Sequence, residues 1–373
     1  MNRTTGAAFA VLLTLFPASS LAQRAAPVAV ARSDALASLT AEQRVAAIDA
    51  MVIAIRENYV FPERVPDIEA RLRDGLMSGR YDIDAPGGFA ARITEDLRRA
   101  SGDRHMYLNF DPAQYSLESG DTVDLEREAA LINYWRRRAE RSNHGLSEMR
   151  ILRGNVRYLR ITGFEWIDDE TGAAYDSAAR FLRDGDAIVI DLRGNGGGSH
   201  GAVRYLISHF LQPNRLEMTF LQAGEPPEQS HTLEYLPAGR LREKPLYVLI
   251  DSRTGSAAEA FAYDVQQFHV GRLVGEKTAG AANNNSFVPI APGFMLSVSF
   301  GRPVHPVSQS NWEAVGVAPD VRAPGSQVLD MAHALALADL LATTDADPSD
   351  RSVCADRTCP GDPVPAGQID IRL

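Results

Sequence analysis

Three short stretches hold side chains able to do chemistry. In the first, Arg253-Thr254-Gly255-Ser256-Ala257-Ala258-Glu259, a serine follows the apolar run Leu246 to Ile250 and opens a helix whose apolar face is Ala257, Phe261, Val265 and Phe268. A hydroxyl at a helix N-terminus sits among unpaired backbone N–H groups and the positive end of the helix dipole, which favour the negative charge that develops in acyl transfer. The same residues also spell Ser-x-x-Glu, a capping box that many helices use for stability alone. This stretch therefore nominates Ser256 without separating a nucleophile from a cap.

The second stretch, Asp191-Leu192-Arg193-Gly194-Asn195-Gly196-Gly197-Gly198, ends a strand and precedes a helix. Consecutive glycines let the backbone approach a ligand and let N–H groups converge, as an oxyanion hole requires, although a plain tight turn uses them too. A nucleotide site is excluded: no Gly-Lys-Ser/Thr follows, and the third glycine of the dinucleotide fingerprint falls on Ser199. The third stretch is Asp103-Arg104-His105, ahead of the alternating segment Met106 to Phe110. None of the eight histidines pairs with another at the spacing of a helical metal site, so neither metal nor cofactor is expected.

The elements around these stretches follow from periodicity. Ala41 to Asn58, Val65 to Leu76 and Gly88 to Arg99 carry apolar residues at helical spacing, and Leu125 to Arg141 reads as a further amphipathic helix. Beyond Gly154 the pattern changes to strand at Val156 to Ile161, helix around Ala173 to Leu182, and buried strand at Ala187 to Leu192. A helix at Val203 to Leu211, strands at Leu216 to Leu221 and Leu246 to Ile250, and the helix Ala257 to Phe268 come next. Strand-like runs Phe287 to Ile290 and Met295 to Phe300 precede a last helix near Val328 to Leu341. Mixed strands and helices indicate an α/β core behind a small helical bundle.

The 373 residues, 45% of them hydrophobic, are enough for two packed units. A net charge of −10, with no basic stretch interleaved with aromatics, excludes nucleic acid as a partner. Arg3, the apolar run Ala7 to Phe16 and Ser20-Leu21-Ala22 read as a secretory leader cut after Ala22, which directs the protein to the periplasm or the exterior without a stable membrane anchor. The two cysteines, Cys354 and Cys359, lie in a tail rich in Pro, Asp and Gly, where a disulfide would close a small ring without stabilising the core. The expected organisation is a leader at 1–22, a helical domain at 23–145, an α/β core at 146–345 and a tail at 346–373.

Taken in order, Asp103 to His105, Asp191 to Gly198, Ser256 to Glu259, Gly275 to Gly280 and Gly316 to Asp320 resemble the tail-specific, or carboxyl-terminal-processing, serine protease family over nearly all of the chain that follows the leader. The resemblance implies a ββα-type, crotonase-like α/β fold, with Ser256 as nucleophile and oxyanion donors at the N–H groups of Gly197 and Ala257. Many members pair the serine with a lysine in Gly-Lys-Gly. The matching stretch here is Gly280-Ala281-Ala282, and the only lysines are Lys244 and Lys277.

A second branch, resembling the tricorn core and the interphotoreceptor retinoid-binding protein, uses a histidine and a downstream glutamate, which fall on His105 and Glu313. A histidine with an ordinary pKa near 6.5 can take the serine proton near neutral pH, and a carboxylate can orient its ring. The tricorn-type site also has a serine before its histidine, where Arg104 stands here. The family's PDZ module, of about 90 residues, does not fit between Tyr107 and Asn155. The expectation is a serine-type peptidase acting on peptides or proteins, and the competing one is a non-catalytic binder of apolar ligands on the same fold.

Overall fold

The computed structural model describes residues 38–119, 125–222 and 224–344, without the side chains of 125–127 and 343–344. The leader, Cys354 and Cys359 and the tail lie outside the described residues. The chain opens with helices α1 (Ala41–Asn58), α2 (Val65–Met77) and α3 (Pro86–Ser101). Thr40 and Gln43 form a reciprocal capping box at the start of α1, and Gly102, at φ 69°, ends α3 in the left-handed conformation that glycine adopts without a Cβ clash.

Strand β1 (Tyr107–Phe110), α4 (Pro112–Glu118), α5 (Leu125–Arg141) and β2 (Leu146–Leu152) follow, filling the interval judged too short for a PDZ module. Next come β3 (Val156–Ile161), α6 (Asp168–Arg183), β4 (Ala187–Asp191), α7 (His200–Ser208), β5 (Leu216–Gln222) and β6 (Glu228–His231). The remainder is β7 (Leu246–Ile250), α8 (Ala257–Gln267), β8 (Arg272–Gly275), β9 (Asn284–Ile290), β10 (Phe294–Val304), β11 (Val321–Arg322) and α9 (Val328–Thr344).

Two sheets organise these elements. The first runs β11-β8-β7-β4-β3-β2 and is parallel except for the antiparallel β2 edge. Its central strands read as unbroken apolar runs because both faces are covered. Ile188 and Ile190 of β4 point into a core made with α6, α7 and α8, while Ala187 and Val189 join Val328, Ala332 and Ala336 of α9 on the other side.

The second sheet is antiparallel and centred on β10, which pairs with β9 along one edge and with β1 and then β5 along the other. Phe294, Leu296 and Val298 alternate towards the N-terminal helices, packing with Ile48, Phe89 and Leu97. The helices at the start of the chain thus share a core with a strand from near its end. None of the helices in the described residues is long and apolar enough to cross a membrane.

Candidate active site

Ser256 stands where β7 gives way to α8. Its backbone, at φ 54° and ψ −123°, is held in a region that costs a non-glycine residue about 1–3 kcal/mol. The surrounding turn holds it there. Asp251 Oδ1 accepts the N–H groups of Arg253 and Thr254, each at 3.0 Å, and that of Gly194 at 2.9 Å. The Thr254 hydroxyl donates to the Leu192 carbonyl at 3.0 Å, and Gly255 N–H to the Asn195 carbonyl at 3.0 Å. The loops leaving the carboxyl ends of β4 and β7 are thereby stitched into one unit.

The Ser-x-x-Glu pair serves more than a cap. Glu259 accepts the Ser256 N–H at 3.0 Å, and being wholly buried it also accepts the Thr278 hydroxyl at 2.5 Å and the N–H groups of Gly280 and Ala281 at 2.6 and 2.8 Å. Burial raises its pKa against the opposing effect of these donors. The stretch that aligns with Gly-Lys-Gly is thus pinned to the serine helix.

His105 lies on the turn joining α3 to β1. Asp103 Oδ1 accepts its backbone N–H at 2.8 Å, and its carbonyl accepts the Ser297 hydroxyl of β10 at 2.5 Å. This brings the ring to Ser256, with Nε2 at 2.9 Å from Oγ across 151 residues of sequence. His105 is 6% exposed, and burial lowers its pKa, opposed by the Asp103 charge and reinforced by that of Arg98. A neutral imidazole with Nε2 unprotonated is what accepting the serine proton requires.

Glu313 reaches the same place from the loop before β11. Its Oε2 accepts the N–H groups of Ala282 and Asn283 at 2.6 and 3.0 Å, and burial, with a contribution from Asp103, pushes its pKa up to about 7. An oxygen each from Asp103 and Glu313 and a ring nitrogen of His105 lie within 4.8 Å of one another. Among the described residues, these three are the group best placed to hold a cation, although both Asp103 oxygens already accept donors from His105, Asn283 and Tyr59. His105 Nδ1 and Glu313 Oε1 are buried without a hydrogen-bond partner.

The glycine loop differs from expectation at one atom. The Gly197 N–H donates to Asn195 Oδ1 at 2.8 Å, because the buried Asn195 side chain turns back along its own loop while its Nδ2 donates to the Ile161 carbonyl. The neighbouring Gly198, bridged to Phe164, lines a chamber of about 140 Å³ together with Ser256 and Ala257. Ala257 begins α8, so its N–H has no acceptor within the helix. Gly197 packs against the nucleophile: a Cβ built there, at φ 112°, would lie 2.6 Å from Ser256 Cβ.

On the His105 side a larger cleft of about 580 Å³ is lined by Arg98, Arg104, Trp135, Trp166 and Phe287 among others. Sequence reasoning quoted Asp103 as part of a motif but gave it no task, and it passed over Asn283 and the cleft residues Arg98 and Trp135. The Asp-x-His spacing, which suits an aspartate closing a turn on the N–H two residues on, was the available signal.

Residues 155–323 match the sequence model of Peptidase family S41. The chain is 25% identical over 229 residues to the tricorn protease of Thermoplasma volcanium, a match covering 60% of this chain and 20% of that protein. It therefore spans about a fifth of that relative's length. A lipoprotein of Streptococcus agalactiae shares the fold, with a TM-score of 0.54 and 15% identity over 80% of this chain and 97% of that one. So does a candidate peptidase of Parabacteroides merdae, with a TM-score of 0.53 and 17% identity over 82% and 98%. The similarity to Peptidase family S41 therefore spans residues 155–323, a little under half of the chain, and includes Ser256 and Glu313.

Proposed function

We propose that the protein hydrolyses peptide bonds through an acyl-enzyme on Ser256, with His105 as general base and Glu313 stabilising the charged imidazole. The observation that carries this reading is the 2.9 Å approach of His105 Nε2 to Ser256 Oγ at the head of α8. In the forward step Oγ attacks the scissile carbonyl carbon and its proton passes to Nε2. The tetrahedral oxyanion is met by the N–H of Ala257 and, in place of the occupied Gly197 amide, by that of Gly198. The C–N bond then breaks as Nε2 returns the proton to the leaving amine. A water molecule, deprotonated by the same nitrogen, attacks the acyl carbon and releases Ser256.

The apolar-binder alternative gives no reason for the strained serine backbone or for the buried imidazole against its hydroxyl. We further propose that the leader 1–22 exports the protein to the periplasm or beyond and that its substrates are peptides or proteins. The decisive experiment is covalent labelling by a fluorophosphonate, with the labelled residue mapped by mass spectrometry. Labelling on Ser256 that vanishes in Ser256→Ala and weakens in His105→Ala supports the peptidase. Unchanged labelling in Ser256→Ala, or none in the native protein, removes it.

A further inference from the structure

The cleft beside His105 carries a charge unlike that of the chain as a whole. The protein has a formal charge of −10, yet the charged residues lining this cavity, apart from His105, are Arg98, Arg104, Arg253 and Glu165. Two of these are already engaged: Arg253 is paired with Asp251 at 3.1 Å and Glu165 with Arg138 at 3.7 Å. The other two have no carboxylate partner among the described residues.

Arg98, near the end of α3, donates Nε to the Arg104 carbonyl at 3.2 Å and lies over the Tyr107 ring at 5.7 Å. Its guanidinium feels burial and the like charge of Arg104, both of which disfavour its charged form. Asp103 is the nearest acidic influence, but its oxygens are occupied by His105, Asn283 and Tyr59. Two like charges held together without a counter-ion on the wall of a cavity gain from any anion that enters.

The position of the pair fixes which part of a substrate it meets. The imidazole must hand its proton to the leaving amine, so the leaving half of the peptide lies on the His105 side of the serine. Arg104 is the residue before His105, and Arg98 is tied to its carbonyl.

We propose that Arg98 and Arg104 are specificity-determining residues that bind a side-chain carboxylate on the leaving half of a peptide, so that the enzyme favours Asp or Glu within the first few residues beyond the cleaved bond. The indole and phenyl rings of Trp135, Trp166 and Phe287 in the same cleft supply apolar surface for the intervening residues. This assignment rests on the peptidase reading given above.

The test uses internally quenched peptides, amidated at the C-terminus, that differ only in carrying Glu, Gln or Lys at each position after the cleaved bond. At one of these positions Glu is expected to exceed Gln in kcat/KM by about fivefold at low salt, the worth of a partly exposed ion pair. That ratio should fall to near one at high salt and in Arg98→Gln and Arg104→Gln, and Arg104→Glu should favour Lys. Fluorophosphonate labelling of Ser256 in each variant reports that the site is intact. Equal cleavage of the Glu and Gln peptides by a labelled, active enzyme, or a ratio that survives both arginine substitutions, overturns the proposal. So does a preference seen only when the amide is replaced by a free terminal carboxylate. If no peptide is cleaved and Ser256 takes no label, the peptidase reading itself fails and this assignment falls with it.

Discussion

Asp103 holds His105 by its backbone: Oδ1 accepts the histidine N–H at 2.8 Å, while Oδ2 takes the side-chain amide of Asn283 at 2.9 Å. The aspartate is almost fully buried and links the turn after α3 to the loop that also carries the amides bound by Glu313. It sets where the ring sits, and its charge partly offsets the effect of burial on the imidazole.

Asp103→Ala should therefore misplace the base, lowering kcat by about 100-fold, the usual cost of displacing a reacting group by an ångström or so. Asp103→Asn keeps an acceptor for the His105 N–H but removes the charge that supports the imidazolium. It should retain more activity, with the acidic limb of the pH–kcat/KM profile moved to lower pH. A limb that stays in place while kcat falls would assign Asp103 to folding alone.

Glu313 offers a prediction with two signs. In Glu313→Gln the orienting charge is lost, and kcat is expected to fall by roughly 10²- to 10⁴-fold. Stability should move the other way above neutrality. The folded pKa of Glu313 lies near 7, above its ordinary value of 4.5, so the fold favours the protonated form. Its contribution is intact below about pH 4.5 and declines as the pH rises to about 7 and past it. The Gln variant should melt at an equal or higher temperature than the native protein at pH 8, and the gap should close towards pH 4.5. Thermal melts across this range check it.

Glu259 is expected to matter for stability as well as for rate. Truncation to Ala strands the Thr278 hydroxyl and the N–H groups of Ser256, Gly280 and Ala281, at about 1–3 kcal/mol for each buried unpaired group. A loss of more than about 3 kcal/mol in denaturant unfolding is the expected result. Gln, which can still accept some of these donors, should retain more stability than Ala.

Gly197→Ala should silence the serine. The added methyl meets Ser256 Cβ at 2.6 Å and the Gly255 carbonyl at 2.9 Å, on a backbone at φ 112° that side chains rarely adopt. Fluorophosphonate labelling is expected to drop about 100-fold, the cost of displacing a reacting group by an ångström or so. Gly196→Ala, where an added methyl finds open space, should label at close to the native rate.

Much of the layout was legible in the residue pattern. The helical spacing of Ala41 to Asn58 and the unbroken apolar runs of β4 and β7 survive intact in the structure, because burial on one helix face or on both sheet faces leaves a period that tertiary context does not disturb. Strand β2 was not foreseen: it is an edge with one neighbour, and its Met149 and Ile151 are exposed, so no core imprints an alternation on it. Strands β8 and β11 are short and take their identity from parallel neighbours.

The site divides in the same way. Ser256 is nominated by its place before a helix, but the approach of His105 depends on β1 pairing with β10, about half the chain away, which no local pattern encodes. Only the order of the motifs linked the two. The engagement of the Gly197 amide has a local cause, since Asn195 two residues earlier supplies an acceptor of its own.

Strand β10 carries the core of the N-terminal helices on one face, and through Ser297 it grips the carbonyl of His105. The stretch matched to the family, residues 155–323, contains the hydroxyl and Glu313 but leaves the imidazole outside. On the proposed mechanism, that stretch expressed alone would lack the base for its serine. On the proposed mechanism the smallest active unit extends to the hydrogen bond on β10 rather than stopping at the limits of the matched stretch, and trimming the helices that brace this strand is expected to abolish activity while leaving Ser256 and Glu313 in the chain.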